Sequence, residues 1–184
     1  MKTTQTNGFA ALWGIAEATV FFIVPDVMLS WVALQDYKRA MVACVWVLAG
    51  ALLGGSVIWY LGTNDPEPLR HFFASLPAVN HAMIANVGQQ LQQDGLLALF
   101  IGPLTGTPYK LYALEAGGAK FNLGLFLLIS IPARLIRFVL VAGVTAGITA
   151  ILRRSVSLRI IRAAHLLFWT GFYSWFFHVM AGVN

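Results

Sequence analysis

Apolar residues run almost without interruption through residues 40–61, 121–152 and 163–180, and each run is long enough to cross a hydrocarbon layer of about 30 Å as a helix. Two further apolar stretches are broken. Residues 9–34 carry Glu17 and then Pro25-Asp26, and residues 96–118 carry Gly102-Pro103, Gly106 and Pro108. Proline removes a backbone donor and clashes with the turn before it, and in lipid the freed carbonyls need protein or water partners. The two stretches are therefore expected to form re-entrant hairpins, broken at Pro25, Pro103, Gly106 and Pro108, with their tips on an aqueous cavity. Residues 63–95 hold Asp65-Pro66-Glu67-Pro68, two histidines and the run Gln89-Gln90-Leu91-Gln92-Gln93. This stretch is too polar to span, and it predicts an extramembrane connection containing one or two short amphipathic helices.

A broken hairpin followed by a spanning helix thus occurs twice, over 9–62 and 96–152, and residues 163–180 add a C-terminal transmembrane helix. Lys38 and Arg39 lie in one short loop and Arg153, Arg154, Arg159 and Arg162 in another, so both loops are expected on the cytoplasmic side. The two units then have opposite orientations, an inverted repeat of the kind that places a transporter's binding site between broken helices. Gly50 and Gly54 in the first spanning helix and Gly143 and Gly147 in the second predict close backbone approach. The expected fold is an all-α integral membrane protein in which 1–184 is one domain.

Composition agrees, because 59% of residues are hydrophobic and only 10% charged, against roughly 25% charged in a soluble domain. The first eight residues show no cleavage pattern, so the first hydrophobic segment is expected to remain in place. The net charge of +5 is accounted for by the inside loops and requires no nucleic acid. Cys44 is alone, and the four histidines lack ligand spacing. No metal, no cofactor and no enzymatic nucleophile is expected.

Six ionisable side chains lie inside the oily segments: Glu17, Asp26 and Glu115 against Lys110, Arg134 and Arg137. A charge at membrane depth costs roughly 2.5–3.5 kcal/mol on insertion scales and is kept facing a partner or a water-filled path. The three carboxylates are read as proton acceptors or counter-ions, with helix capping the other role open to Asp26. In the second hairpin, Thr105, Thr107, Tyr109 and Lys110 combine unwound backbone N–H groups, hydroxyls and one full positive charge, which suits an anion. A lysine snorkelling to the interface is the alternative for Lys110. Arg134 and Arg137 share a helix face just after Pro132 and match phosphate oxygens bidentately, or else pair with the carboxylates. Trp169, Tyr173, Trp175, Phe176 and Phe177 are read as an interfacial belt.

Glu17-Ala18-Thr19 followed by Pro25-Asp26, the run Pro108-Tyr109-Lys110 leading to Ala116-Gly117, and Arg134-Leu135-Ile136-Arg137-Phe138 together resemble the DedA superfamily. These are also called VTT-domain or SNARE-associated membrane proteins, and the resemblance is nearer to the shorter YqaA-like branch. It covers about residues 9–151. It implies two re-entrant hairpins in an inverted repeat and movement of lipid across the bilayer, including flipping of undecaprenyl phosphate and phospholipid scrambling, with the proton-motive force implicated in some members. The typical bacterial pattern has Gly-Arg and then Pro-x-x-Arg in the second hairpin. Here Gly102-Pro103 and Tyr109-Lys110 stand in those places, which leaves Lys110, Arg134 and Arg137 as the cations. The expected function is transport of an anionic membrane lipid, by a flippase or scramblase of a bacterial-type inner membrane, with protons as a coupling ion and a homo-oligomer compatible with it. A proton-driven small-solute or ion antiporter is the alternative.

Overall fold

The computed structural model describes residues 3–76 and 78–181. Helix follows helix: α1 (Thr3–Thr19), α2 (Asp26–Ala33), α3 (Tyr37–Asn64), α4 (Pro66–Ala74), α5 (His81–Asp94), a 3-10 segment (Gly95–Phe100), α6 (Gly102–Thr105), α7 (Tyr109–Gly118), α8 (Leu123–Leu152) and α9 (Leu158–Ala181). There is no strand among the described residues. Asp36, Asp65, Asn80 and Asn122 each accept a hydrogen bond from a backbone N–H two or three residues on, which satisfies a donor that a helix start leaves orphaned. The polar connection forms α4 and α5, whose apolar faces bury Phe73, Ile84, Val87 and Leu91.

By length and composition two helices are apolar enough to cross a membrane, α3 with 28 residues and α8 with 30. At 1.5 Å per residue they are about 42 and 45 Å long. The third expected span forms the 24-residue α9. Its apolar run is diluted by His165, Trp169, Tyr173, Ser174, Trp175 and His178, and it does not join that pair.

The chain reverses at residues 20–25. Contacts advance together along α1 and α3: a Cβ added at Gly50 would lie 2.0 Å from the Ala11 carbonyl oxygen, and one at Gly54 would lie 2.9 Å from the Ile15 carbonyl oxygen. The two helices therefore run parallel at a separation that only glycine permits, and α2 carries the chain back between them. Ala10, Leu29, Ala33, Ala43 and Cys44 consequently share one buried cluster.

The second half follows the same plan in the opposite sense. The 3-10 segment and α6 lead into a turn at residues 106–108, α7 returns, and α8 follows. Along α3, Gly55 meets the Tyr109 ring and Gly62 meets Leu114, so α7 runs parallel to α3. α8 runs antiparallel, with Phe126 and Ala133 in the cluster that holds Ile58 and Phe138 and Ala142 in the cluster that holds Val47. Each short returning helix thus packs on the long helix of the other half, α7 on α3 and α2 on α8.

The paired glycines do not behave alike. Gly50 and Gly54 are wedged against α1, whereas a Cβ at Gly143 or Gly147 would have nothing within 4 Å. α8 turns Phe138 and Ala142 to its neighbours and leaves the side bearing Val144 and Ile148 uncovered, so the close approach expected at Gly143 and Gly147 is not made.

Candidate functional site

The two buried clusters meet at the level of the ionisable side chains. On α1, Glu17 sits between Ala10 of one cluster and Ala18 of the other; on α8, Arg134 and Arg137 sit between Ala133 and Phe138. A layer of charge therefore divides an otherwise apolar core.

The reversal at residues 20–25 leaves backbone groups without helical partners, and side chains from three different elements satisfy them. Trp13 Nε1 donates to the Ile23 carbonyl at 2.9 Å, Lys110 Nζ donates to the Phe21 carbonyl at 2.9 Å, and the Val24 N–H donates to Tyr173 Oη at 2.8 Å. Pro25, whose ring lacks an N–H, then starts α2 with Asp26 as its first residue. At the second reversal, Gly106 takes the left-handed φ of +77° that ends α6, a conformation open to glycine at little cost. Pro108 is extended and starts α7. Pro103 lies within α6, and its side chain lies outside the described set. Because Lys110 lies in the first turn of α7 and bonds the Phe21 carbonyl, the two reversals are in direct contact.

Arg134 and Arg137 lie one turn apart on α8 and each takes a carboxylate from the first half. Arg134 Nη2 donates to Glu17 Oε2, and the two side chains are only 9% and 11% exposed. Arg137 donates through Nε and Nη2 to Asp26 Oδ2, at 3.0 and 2.6 Å. The Arg134 guanidinium also lies 4.3 Å from the Tyr109 ring centroid, and Tyr109 is fixed by a 3.0 Å bond from its hydroxyl to Ser130. Lys110 differs from both arginines. It is 1% exposed, and its described contacts are the Phe21 carbonyl and the Phe22 ring, 3.8 Å away.

These groups line a cavity of about 320 Å³. Glu17, Asp26, Lys110, Arg134 and Arg137 form its charged side, with Thr107 and Tyr109 beside them. Asp26 Oδ1 and Arg134 Nε are buried without a partner among the described residues. Three basic side chains thus face two carboxyl groups on this side.

Two of the expected site residues lie elsewhere. Glu115 sits at the far end of α7, where Arg70 of α4 grips both its oxygens at 2.7 and 2.6 Å. It lines a separate cavity with Glu67, His71 and His81. Its hydrogen bonds, with those of Glu67, raise the Arg70 guanidinium above its already high ordinary pKa. Glu115 is thus a structural partner of the polar connection rather than a group of the central site. Thr105 is exposed and bonds Thr107 at 3.0 Å but does not line the cavity, because the turn at Gly106 points it away.

Three of the α9 aromatics read as a belt, Trp169, Tyr173 and Phe176, also line the cavity. With Phe168 and Phe172 they form a wall of it. Trp169 and His165 both bond Ser30 Oγ, at 3.2 and 2.8 Å. The signal was present: residues 165, 169 and 173, and 168, 172 and 176, recur every four residues and so share one helix face.

No family model matches the chain, and no solved structure does. A curated protein of Haemophilus influenzae, described as an uncharacterized protein, is 27% identical over 158 residues, covering 82% of this chain and 81% of its own length. A match of that extent runs through both halves of the chain.

Proposed function

We propose that the protein is an integral membrane transporter of the DedA type that moves a lipid with an anionic headgroup across a bacterial-type inner membrane. The observation that carries this reading is Lys110, a cation buried at the contact of the two reversals, on a cavity, with no carboxylate within ion-pair distance among the described residues. A desolvated ammonium is costly unless an opposite charge joins it, and the arginines one turn apart beside it supply the planar forks that bind phosphate. In this reading the reversals are the tips of two re-entrant hairpins, entering from opposite faces of the bilayer and meeting near its middle. Membrane placement is supported by α8, which leaves Leu128, Leu140, Val144, Ile148 and Ile151 more than half exposed along one helix. Water disfavours so long an apolar surface, and acyl chains accept it.

Glu17 and Asp26 hold the arginines when the cavity is empty and release them to an entering phosphate. Protonation of either carboxylate weakens its pair and favours the exchange, which is how a proton gradient would couple to flux.

The test compares the purified chain in vesicles carrying a fluorescent phospholipid with the same vesicles loaded with a cation indicator. Lipid crossing above the protein-free rate, with no cation flux, is the expected result. Cation flux without lipid crossing would replace this reading with a proton-driven antiporter.

A further inference from the structure

Outside the charged layer, the cavity has a second surface whose chemistry is entirely different. Phe168, Phe172 and Phe176 of α9 stand on it in one stripe, and Phe168 and Phe172 remain 63% and 39% exposed. α9 itself is lightly held. Ile161 is its one buried side chain among the described residues; hydrogen bonds tie it at two places, Tyr173 to the Val24 N–H and His165 with Trp169 to Ser30, and the Trp31 ring lies against His165 and Arg162.

We propose that the aromatic face of α9 is the subsite for the acyl chain of the lipid, and that the chain enters when α9 swings away from its Tyr173 and Ser30 ties. The headgroup stays on Lys110, Arg134 and Arg137, while the chain lies on Phe168, Phe172 and Phe176 and passes out between α9 and the first reversal. Tyr173 is then a positioning residue. It closes the gap by satisfying a backbone donor that would otherwise be orphaned. Assigning the gap to an acyl chain rests on the lipid-movement reading; the displacement of α9 does not.

Two measurements test it. In a Cys44→Ala background, Ala133→Cys places a thiol on the cavity at a position only 5% exposed, and its modification rate by N-ethylmaleimide reports how often α9 is open. Tyr173→Phe keeps the ring and removes the tie, and losing one hydrogen bond of ordinary net strength should speed modification by about 2- to 12-fold. An unchanged rate overturns the motion, whether or not the protein moves lipid. The second measurement uses the unsubstituted chain in vesicles doped with a phospholipid bearing a diazirine in its acyl chain. Adducts at Phe172 or Phe176 support the subsite. Adducts confined to Leu167, Phe168 and Trp175, which are 74%, 63% and 62% exposed, overturn it. Lipid flux without wall adducts would sink the subsite and leave the function standing; wall adducts without flux would do the reverse.

Discussion

Replacing Arg134 with Met strands the Glu17 carboxylate in a place where its side chain is 11% exposed. Removing one partner of a buried pair costs about 3–5 kcal/mol, a large share of a domain's typical stability of about 5–15 kcal/mol. The reverse change, Glu17→Leu, strands Arg134 less severely, since the rings of Tyr109 and Phe138 remain 4.3 and 5.2 Å from its guanidinium. Each such contact contributes on the order of 0.5–2 kcal/mol, so the single change should cost about 2–3 kcal/mol. The double variant Glu17→Leu/Arg134→Met removes both charges and fills the space with apolar atoms, and it should fall within about 1 kcal/mol of the parent. A double-mutant cycle by reversible unfolding in mixed micelles measures this directly, with an expected coupling of at least ~4 kcal/mol. Effects that add to within about 0.5 kcal/mol would show that the pair does not hold α1 to α8 and would refute the argument. The double variant should also be folded yet inactive, which separates the pair's structural role from the anion site.

Gly50→Val should abolish folding or lower stability by at least ~3 kcal/mol, because its first added atom would sit 2.0 Å from the Ala11 carbonyl oxygen. Gly143→Ala, with open space around it, should instead stabilise α8 by about 0.5–1 kcal/mol; melting temperatures of the two variants check both. Arg70→Ala should cost about 1–3 kcal/mol, discounted for the 31% exposure of Arg70, and leave lipid flux per folded molecule unchanged. A loss of flux there would return Glu115 to the central mechanism. For topology, Arg154→Cys should be labelled only from the cytoplasmic side and Asp65→Cys only from outside, each in a Cys44→Ala background. Labelling of both from one side contradicts the inverted arrangement.

The long apolar runs and the residues that break the others were legible because each rests on a local rule. A run of some 20 apolar residues, a proline without its donor and a glycine at φ +77° are properties of a few adjacent residues. Which charge meets which is not local. Arg134 and Arg137 were both offered Glu17, Asp26 and Glu115, and the sequence contains nothing that measures the 45 residues between Arg70 and Glu115 as a contact. Packing decides it: Gly117 lets α7 press on the Trp59 carbonyl, which points Glu115 up toward α4 and away from the charged layer. The aromatic stripe of α9 was visible as a helical period, but its direction depends on Tyr173 finding a backbone donor 149 residues away. Gly143 and Gly147 repeat the spacing of Gly50 and Gly54 and yet face nothing described, because spacing specifies a face and not a neighbour.

The central claim is that the cavity at the meeting of the two reversals holds a phosphate-bearing lipid, and the most direct measurement is mass spectrometry of lipid retained through purification in mild detergent. The parent chain should carry such a lipid, and Lys110→Met and Arg137→Met, each verified as folded by its melting curve, should lose it. Equal retention of the same lipids by parent and variants would contradict the account.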